Sequence, residues 1–249
     1  MGRVHAVIET TMSTMNLTLA DFDGKLMDGF VFCKKVYEFF DQVQRSPDGK
    51  SRLLRQPSLT EKRLLEELLP ITRYLQTKYG VGLHMKVRWF AGSQQYDALL
   101  QCSGSRVEQG IVPQKQYLEV TSTMHPNDYL GRELLDTQGF TFGTGDTERD
   151  PKTRKIVSRP YNIGGKSGEH MLEWIRTGIA KKNSIIYPKN TVLIVDCHPE
   201  TLMLEPEWQS FTRILSDAKI PHRFIELFLI ERVGNYTATI YPPRLPNSE

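Results

Sequence analysis

Three short apolar runs, Leu83–Phe90, Tyr96–Cys102 and Gln116–Ser122, follow one another with turn residues between them and read as consecutive strands. A fourth run, Thr191–Cys197, holds Val192, Leu193, Ile194 and Val195 in unbroken apolar sequence. Polar residues alternate through a strand with one wet face, whereas an unbroken run marks a strand covered on both. His222–Ile230 reads as a further strand, Thr237–Tyr241 as an edge strand, and Val4–Ile8 as a short one near the start. With the helical patterns between them, the order is helix, three strands, helix, strand, helix, strand. That order implies an α/β fold with a mixed central sheet flanked by helices, not a strictly alternating doubly wound sheet.

The helices are read from apolar spacing. Over Leu26–Val43, Phe30, Val31, Cys33, Val36, Tyr37 and Phe40 recur at three- and four-residue intervals. Ser58-Leu59-Thr60-Glu61 has the form of a capping box opening a second helix. That helix turns Leu64, Leu65, Leu68 and Leu69 inward, is expected to kink or restart at Pro70, and ends at Gly80 and Gly82. Further helices are expected over 127–138, Glu169–Lys182 and Glu205–Ala218. Between the first two, Arg45–Ser58 reads as a basic connection containing Pro47, Asp48-Gly49 and Pro57. It divides the chain into an N-terminal helical extension, residues 1–57, and an α/β core, residues 58–249. Gly139–Gly145 reads as an aromatic, glycine-rich turn, and Asp146–Gly168 as a polar loop.

Composition excludes several classes. Apolar residues make up 39% of the 249, enough for a packed core and against global disorder. The three cysteines are widely spaced, with no CxxC pair, and the six histidines show no HExxH or HxxxH spacing. Neither a disulfide framework nor a cysteine zinc site follows, and a reducing, cytoplasmic location is the expectation. No run is long enough to span a membrane, so no membrane partner is expected. Met1-Gly2-Arg3-Val4-His5 lacks the pattern of an export signal. A formal charge of +3 permits nucleic-acid binding without arguing for it.

The chemistry centres on two acids. Asp97 opens the second strand-like run and Glu119 lies in the third, 22 positions later. Neighbouring strands can bring two such carboxylates together at a sheet edge, where they would hold a hard divalent cation through oxygen. Glu119 sits in an apolar run on a strand expected to be central, and a buried charge there needs a partner or a metal. A cation so held polarises a phosphate and activates water.

The element order, with Asp97 and Glu119 where they stand, resembles the PD-(D/E)XK nuclease superfamily and its restriction-endonuclease-like fold over roughly residues 59 to 198. The resemblance implies that Asp97 and Glu119 ligate Mg2+ or Mn2+, and that residues 58–249 form a nuclease-like core. It also implies a lysine two positions after the acid, but this chain has Glu119-Val120-Thr121, with Thr121 in the lysine's place. Residues i and i+2 share a strand face, so Thr121 points with Glu119 but brings no positive charge. Lys182 is the replacement: Met171, Leu172, Ile175 and Ile179 form one apolar stripe, and Lys182 falls near its centre. Migration of the lysine to this helix resembles a variation within the superfamily. The family's additional helix acid corresponds best to Glu67, which lies nearer the apolar stripe of its helix than Glu66 does.

DNA contact is expected from the 146–168 segment, where six basic residues between Arg149 and Lys166 face one acid; Arg149, Lys152, Arg154 and Lys155 are its leading members. Lys50, Arg52 and Arg55 could add to that surface. His125 is a candidate acid–base group or simply the start of the next helix. Cys197-His198 carries no readable partners for a thiol nucleophile, and a core cysteine is the plainer reading. The sequence reading is therefore a metal-dependent phosphodiesterase acting on DNA, compatible with a homodimer. The competing readings are a catalytically inactive nuclease-like fold that binds nucleic acid or serves assembly, and an unrelated α/β interaction protein.

Overall fold

The computed structural model describes residues 16–142, 147–160, 167–199, 203–233 and 235–241. The expected strand at Val4–Ile8 and the end of the glycine-rich turn lie outside these residues. After a 3-10 turn at Leu19–Asp21 come β1 (Leu26–Asp28), α1 (Gly29–Arg45), α2 (Gly49–Arg55) and α3 (Leu59–Arg63). A single π turn (Leu64–Leu68) joins α3 to α4 (Leu69–Lys78). Next are β2 (His84–Trp89), β3 (Ala98–Ser103), α5 (Ser105–Glu108), β4 (Lys115–Thr123) and α6 (Asp128–Thr137). A small hairpin, β5 (Thr147–Arg149) and β6 (Ile156–Ser158), precedes α7 (Ser167–Asn183) and β7 (Thr191–Cys197). The chain then forms α8 (Glu205–Asp217), β8 (Glu226–Glu231) and β9 (Thr237–Ile240).

The fold is mixed α/β, built on a seven-stranded sheet of order β1-β2-β3-β4-β7-β8-β9. β1 through β4 pair antiparallel, β4–β7 and β7–β8 pair parallel, and β9 closes the far edge antiparallel. Side-chain alternation divides the core into two layers. Leu118, Val120, Val192, Ile194, Phe228 and Ile230 share one apolar cluster with residues of α1, the π turn and α4. Leu193, Val195, Cys197, Leu227 and Leu229 share another with Met171, Ile175 and Ile179 of α7 and Trp208 and Phe211 of α8. Every residue of β7 and β8 is buried, which is why their sequences run apolar without alternation.

α1 packs into the same apolar cluster as β2 and β3, through Phe32, Val36 and Phe39. Residues on both sides of position 57 therefore contribute to one core. The helix expected from Leu26 instead begins at Gly29. Leu26–Asp28 is drawn into the sheet, Met27 opposite Val87, and the Asp28 carboxylate accepts from the N–H of Phe30 at 2.9 Å and of Val31 at 3.4 Å. The basic connection contains a helix, α2, and the polar loop contains the β5–β6 hairpin; both elements are too short to show a period. Ser58 and Glu61 form the expected capping box. Pro70 does not end its helix. The π turn ahead of it sends the Leu69 N–H back to the Leu64 carbonyl, so the ladder is already shifted where proline brings no donor.

α7 lies close over β4 because Gly178 faces it. A Cβ built on Gly178 would lie 3.4 Å from the Thr123 Cγ2 and 3.9 Å from the Thr121 Oγ1, in ordinary van der Waals contact. Gly178→Ala is therefore expected to fold with unchanged or raised stability, since alanine favours a helix over glycine by about 1 kcal/mol. Gly178→Leu is expected to lose on the order of 1–3 kcal/mol by overpacking against β4. Chemical denaturation of the two variants checks both; a fully stable leucine variant would show that α7 is free to lift.

Candidate active site

Register places the two acids. Ala98 pairs with Leu118 between β3 and β4, so one step further along the antiparallel pair sets Asp97 opposite Glu119. The Asp97 N–H donates to the Leu118 carbonyl at 2.8 Å, which extends the ladder to this position. The Asp97 carboxylate then accepts from the Val120 N–H, also at 2.8 Å. This side chain stands in for a backbone carbonyl and is held rigidly at the strand end. Opposed residues on one face of such a pair lie about 4.5–5.5 Å apart at Cβ.

Glu119 is 7% exposed on the fourth of the sheet's seven strands and is ion-paired with Lys182. The pairing follows from the crossover. α7 lies in the connection between the parallel strands β4 and β7 and so runs back along β4. The four residues from Gly178 to Lys182 rise about 6 Å, close to the ~6.6 Å from Thr121 back to Glu119. Thr121 and Thr123 pack under Gly178, and Lys182 reaches Glu119. A long side chain at 121 would meet the helix itself.

Glu67 enters from the other helical layer, on the π turn. It is ion-paired with Arg63 one turn earlier, and it accepts from the Trp89 Nε1–H at 3.0 Å. Burial, reinforced by the charge of Asp97, pushes its carboxyl up to about 7. The same two causes, in the same order, push Glu119 up to about 7 against the pull of Lys182. Asp97 is raised by burial, opposed by its hydrogen bond from Val120 and by Lys182 and Arg63. Tyr187 lies beside Glu119, and burial together with that carboxylate holds its phenol protonated. Its hydroxyl is buried without a well-formed hydrogen bond among the described residues.

The four acid and lysine positions singled out in the sequence thus come together: Glu67, Asp97, Glu119 and Lys182. Three neighbours were missed there. Arg63 stands four residues before Glu67, a helix ion-pair spacing that the sequence displays. Trp89 and Tyr187 reach the site only through the tertiary fold. The basic residues lie on a separate element. Lys152, Arg154 and Lys155 are exposed at the β5–β6 tip, while Arg149 is tied to Glu133 at 2.7 Å. Of the secondary basic group, Arg52 is engaged by buried Glu61. His125 faces Trp174 and accepts the Asn127 N–H through Nδ1 at 3.0 Å, a turn contact at the start of α6. Cys197 is core, its thiol pushed up by burial.

A hard cation fits in one form and not in another. Among the described residues no three His, Cys, Asp or Glu side chains form a ready metal cage. Mg2+, however, keeps several waters and is commonly held by one or two carboxylates, the number that Asp97 and Glu119 provide. The mutual repulsion of these carboxylates is what a hydrated cation would relieve.

In metal-free buffer, the raised carboxyls give stability a definite sign. A carboxylate whose folded pKa exceeds its unfolded value stabilises the fold below the unfolded value and loses that contribution as pH rises through the folded one. For Glu67 and Glu119 that window runs from 4.5 to about 7. Unfolding free energy is expected to fall across it by on the order of 2 kcal/mol per group. Glu67→Gln keeps an acceptor for Trp89 and should flatten the slope; urea titrations at pH 5 and pH 8 measure it. An unchanged slope would show that Glu67 ionises as it does in the unfolded chain. No protein-family model, curated protein or solved structure matches this chain.

Proposed function

We propose that the chain is a metal-dependent phosphodiesterase acting on DNA, a divergent PD-(D/E)XK-type nuclease with a restriction-endonuclease-like core. One observation carries the reading: Lys182 of α7 pairs with Glu119, which register sets opposite Asp97. An acid pair with an adjacent lysine on a central strand is the set this chemistry needs, and here the lysine comes from the covering helix instead of position 121. Asp97 and Glu119 would hold Mg2+ or Mn2+, which supplies Lewis-acid polarisation of the phosphate and a more acidic bound water. Lys182 would orient the attacking water and offset charge as the phosphorane-like oxygens develop it. Glu67, near pKa 7 and buried, is suited to hold or accept a proton at neutral pH. The exposed cations of the β5–β6 tip would bind backbone phosphate.

Thr121, standing where the resemblance implies a lysine, supports the second reading, a nuclease-like fold that binds nucleic acid without cutting it. No described helix is long and apolar enough to cross a membrane.

Plasmid and single-stranded DNA are expected to be cut with Mg2+ or Mn2+ and left intact with EDTA. Glu119→Gln and Lys182→Ala are each expected to lower the rate by roughly 10²-fold or more, the scale of losing one positioned acid, base or charge stabiliser. A parallel thermal scan at pH 8 separates binding from catalysis. Mg2+ at 100 times its dissociation constant would stabilise the wild type by about 2.7 kcal/mol and Glu119→Gln much less. Cation-induced stabilisation without cleavage would favour the inactive binding reading; neither effect would remove the metal site altogether.

A further inference from the structure

The turn after α6 and the β5–β6 hairpin are joined into one appendage. The Phe142 N–H donates to the Ser158 Oγ at 3.4 Å, and the Thr147 Oγ1 donates to the same oxygen at 3.0 Å. The Asn127 side chain adds a hydrogen bond to the Thr147 carbonyl at 2.8 Å. The hairpin tip is set by Asp150, whose carboxylate accepts from the N–H groups of Lys152 at 2.8 Å and Thr153 at 2.7 Å. Arg154 turns through a left-handed conformation, φ 60°. This ordered turn exposes Lys152, Arg154 and Lys155 together, and among the described residues none of the three has an ion-pair partner.

Two aromatic rings stand at the base of the same hairpin. Phe140 is 54% exposed and Phe142 is 52% exposed, although each carries enough apolar surface to be buried in any ordinary fold. The rings meet edge-to-face with centroids 5.7 Å apart, so neither is stacked flat on the other. The two phenylalanines help line a cavity of about 260 Å³ with Leu134, Ile156 and Val157 and the polar Gln138, Thr141 and Ser158. Apolar rings at the base of the hairpin and unpaired cations at its tip, on one appendage, match an extended ligand with flat faces and a phosphodiester backbone. A base-paired duplex offers the phosphates but keeps its base faces stacked; an unpaired strand offers both.

We propose that this appendage is a binding site for single-stranded nucleic acid, with bases stacked on Phe140 and Phe142 and backbone phosphates on Lys152, Arg154 and Lys155. It rests on the nuclease reading only for its purpose, which is to deliver an unpaired strand to the protein. Binding itself requires no cleavage. An aromatic face accepts any base, so recognition here is of strandedness and not of sequence.

The test is fluorescence anisotropy on the full chain in EDTA, with labelled dT20, rU20 and a 20-base-pair duplex. Wild type is expected to bind dT20 or rU20 more tightly than the duplex, and the tighter of the two names the sugar. Phe140→Ala with Phe142→Ala should weaken the single strand at least about fivefold while leaving the duplex within twofold. Both rings are more than half exposed, so their removal does not open the core. Replacing Lys152, Arg154 and Lys155 by Gln should weaken all probes and flatten the salt dependence by about two in the log–log slope, near 0.7 for each phosphate no longer neutralised. Equal losses for duplex and single strand in the phenylalanine variant, or none for either, would overturn the proposal. Because no metal is present, an inactive protein that still discriminates strands through its phenylalanines sinks the nuclease reading alone. A protein that cuts DNA but binds dT20 unchanged without them sinks this inference alone.

Discussion

A carboxylate on the innermost strand of a sheet cannot remain charged unless something brings it a counter-charge, and in this protein that something is the covering helix. Glu119 is pinned on β4 between neighbours on both sides, and Lys182 comes down from α7 to meet it. The pair ties the orientation of the helix to the register of the strand. It can form only if α7 approaches closely, and that approach depends on a small residue at 178 and small threonines at 121 and 123. The absence of a lysine at 121 and its presence at 182 are thus one structural fact. The helix occupies the room above Thr121, and the charge is supplied one turn further on.

The broad fold was legible because its strands are extreme cases. β7 and β8 are buried on both faces and so read as unbroken apolar runs, and β4 was recognisable as central. Three-residue strands such as β1, β5 and β6 span less than two periods of alternation, so nothing in their sequence separates them from loop. The π turn was equally hidden. Pro70 signalled that the ladder must be disturbed but not that the disturbance would lie one turn earlier and leave the helix running.

The site was partly legible for the same reason. Asp97 and Glu119 stood out as acids in apolar runs, and Lys182 as a cation on an apolar stripe; each violates its local pattern and so draws notice. Trp89 and Tyr187 violate nothing. An aromatic in a strand or after a helix is ordinary, and their place beside Glu67 and Glu119 arises only when distant segments meet. A second charged group was missed entirely: Asp196, buried at the end of β7, held by Arg232 and, at 3.1 Å, by His198. Burial pushes its carboxyl up, but Arg232 and His198 together outweigh that and hold it ionised. Arg232 also donates to the Leu65 carbonyl at 3.0 Å, so this network fastens the sheet to the π turn that carries Glu67.

The contrast between the two charged groups is informative. Around Asp196 the partners suffice: Arg232 and the His198 ring hold its carboxyl below the usual range even though it is deeply buried. Around Glu119 they do not. Three carboxylates, Glu67, Asp97 and Glu119, share Arg63 and Lys182, and all three stay above their ordinary values. Both groups sit in the same sheet, so a difference in burial alone does not account for the opposite outcomes; the balance of charge does. A purely structural ion-pair network would settle as Asp196 does, with its carboxyl held ionised by its partners. A site left short of positive charge at neutral pH must take up either a proton or a cation, and the two answers differ in consequence. A proton on Glu67 or Glu119 silences the acid, whereas a divalent ion would keep Asp97 and Glu119 ionised and turn their repulsion into affinity.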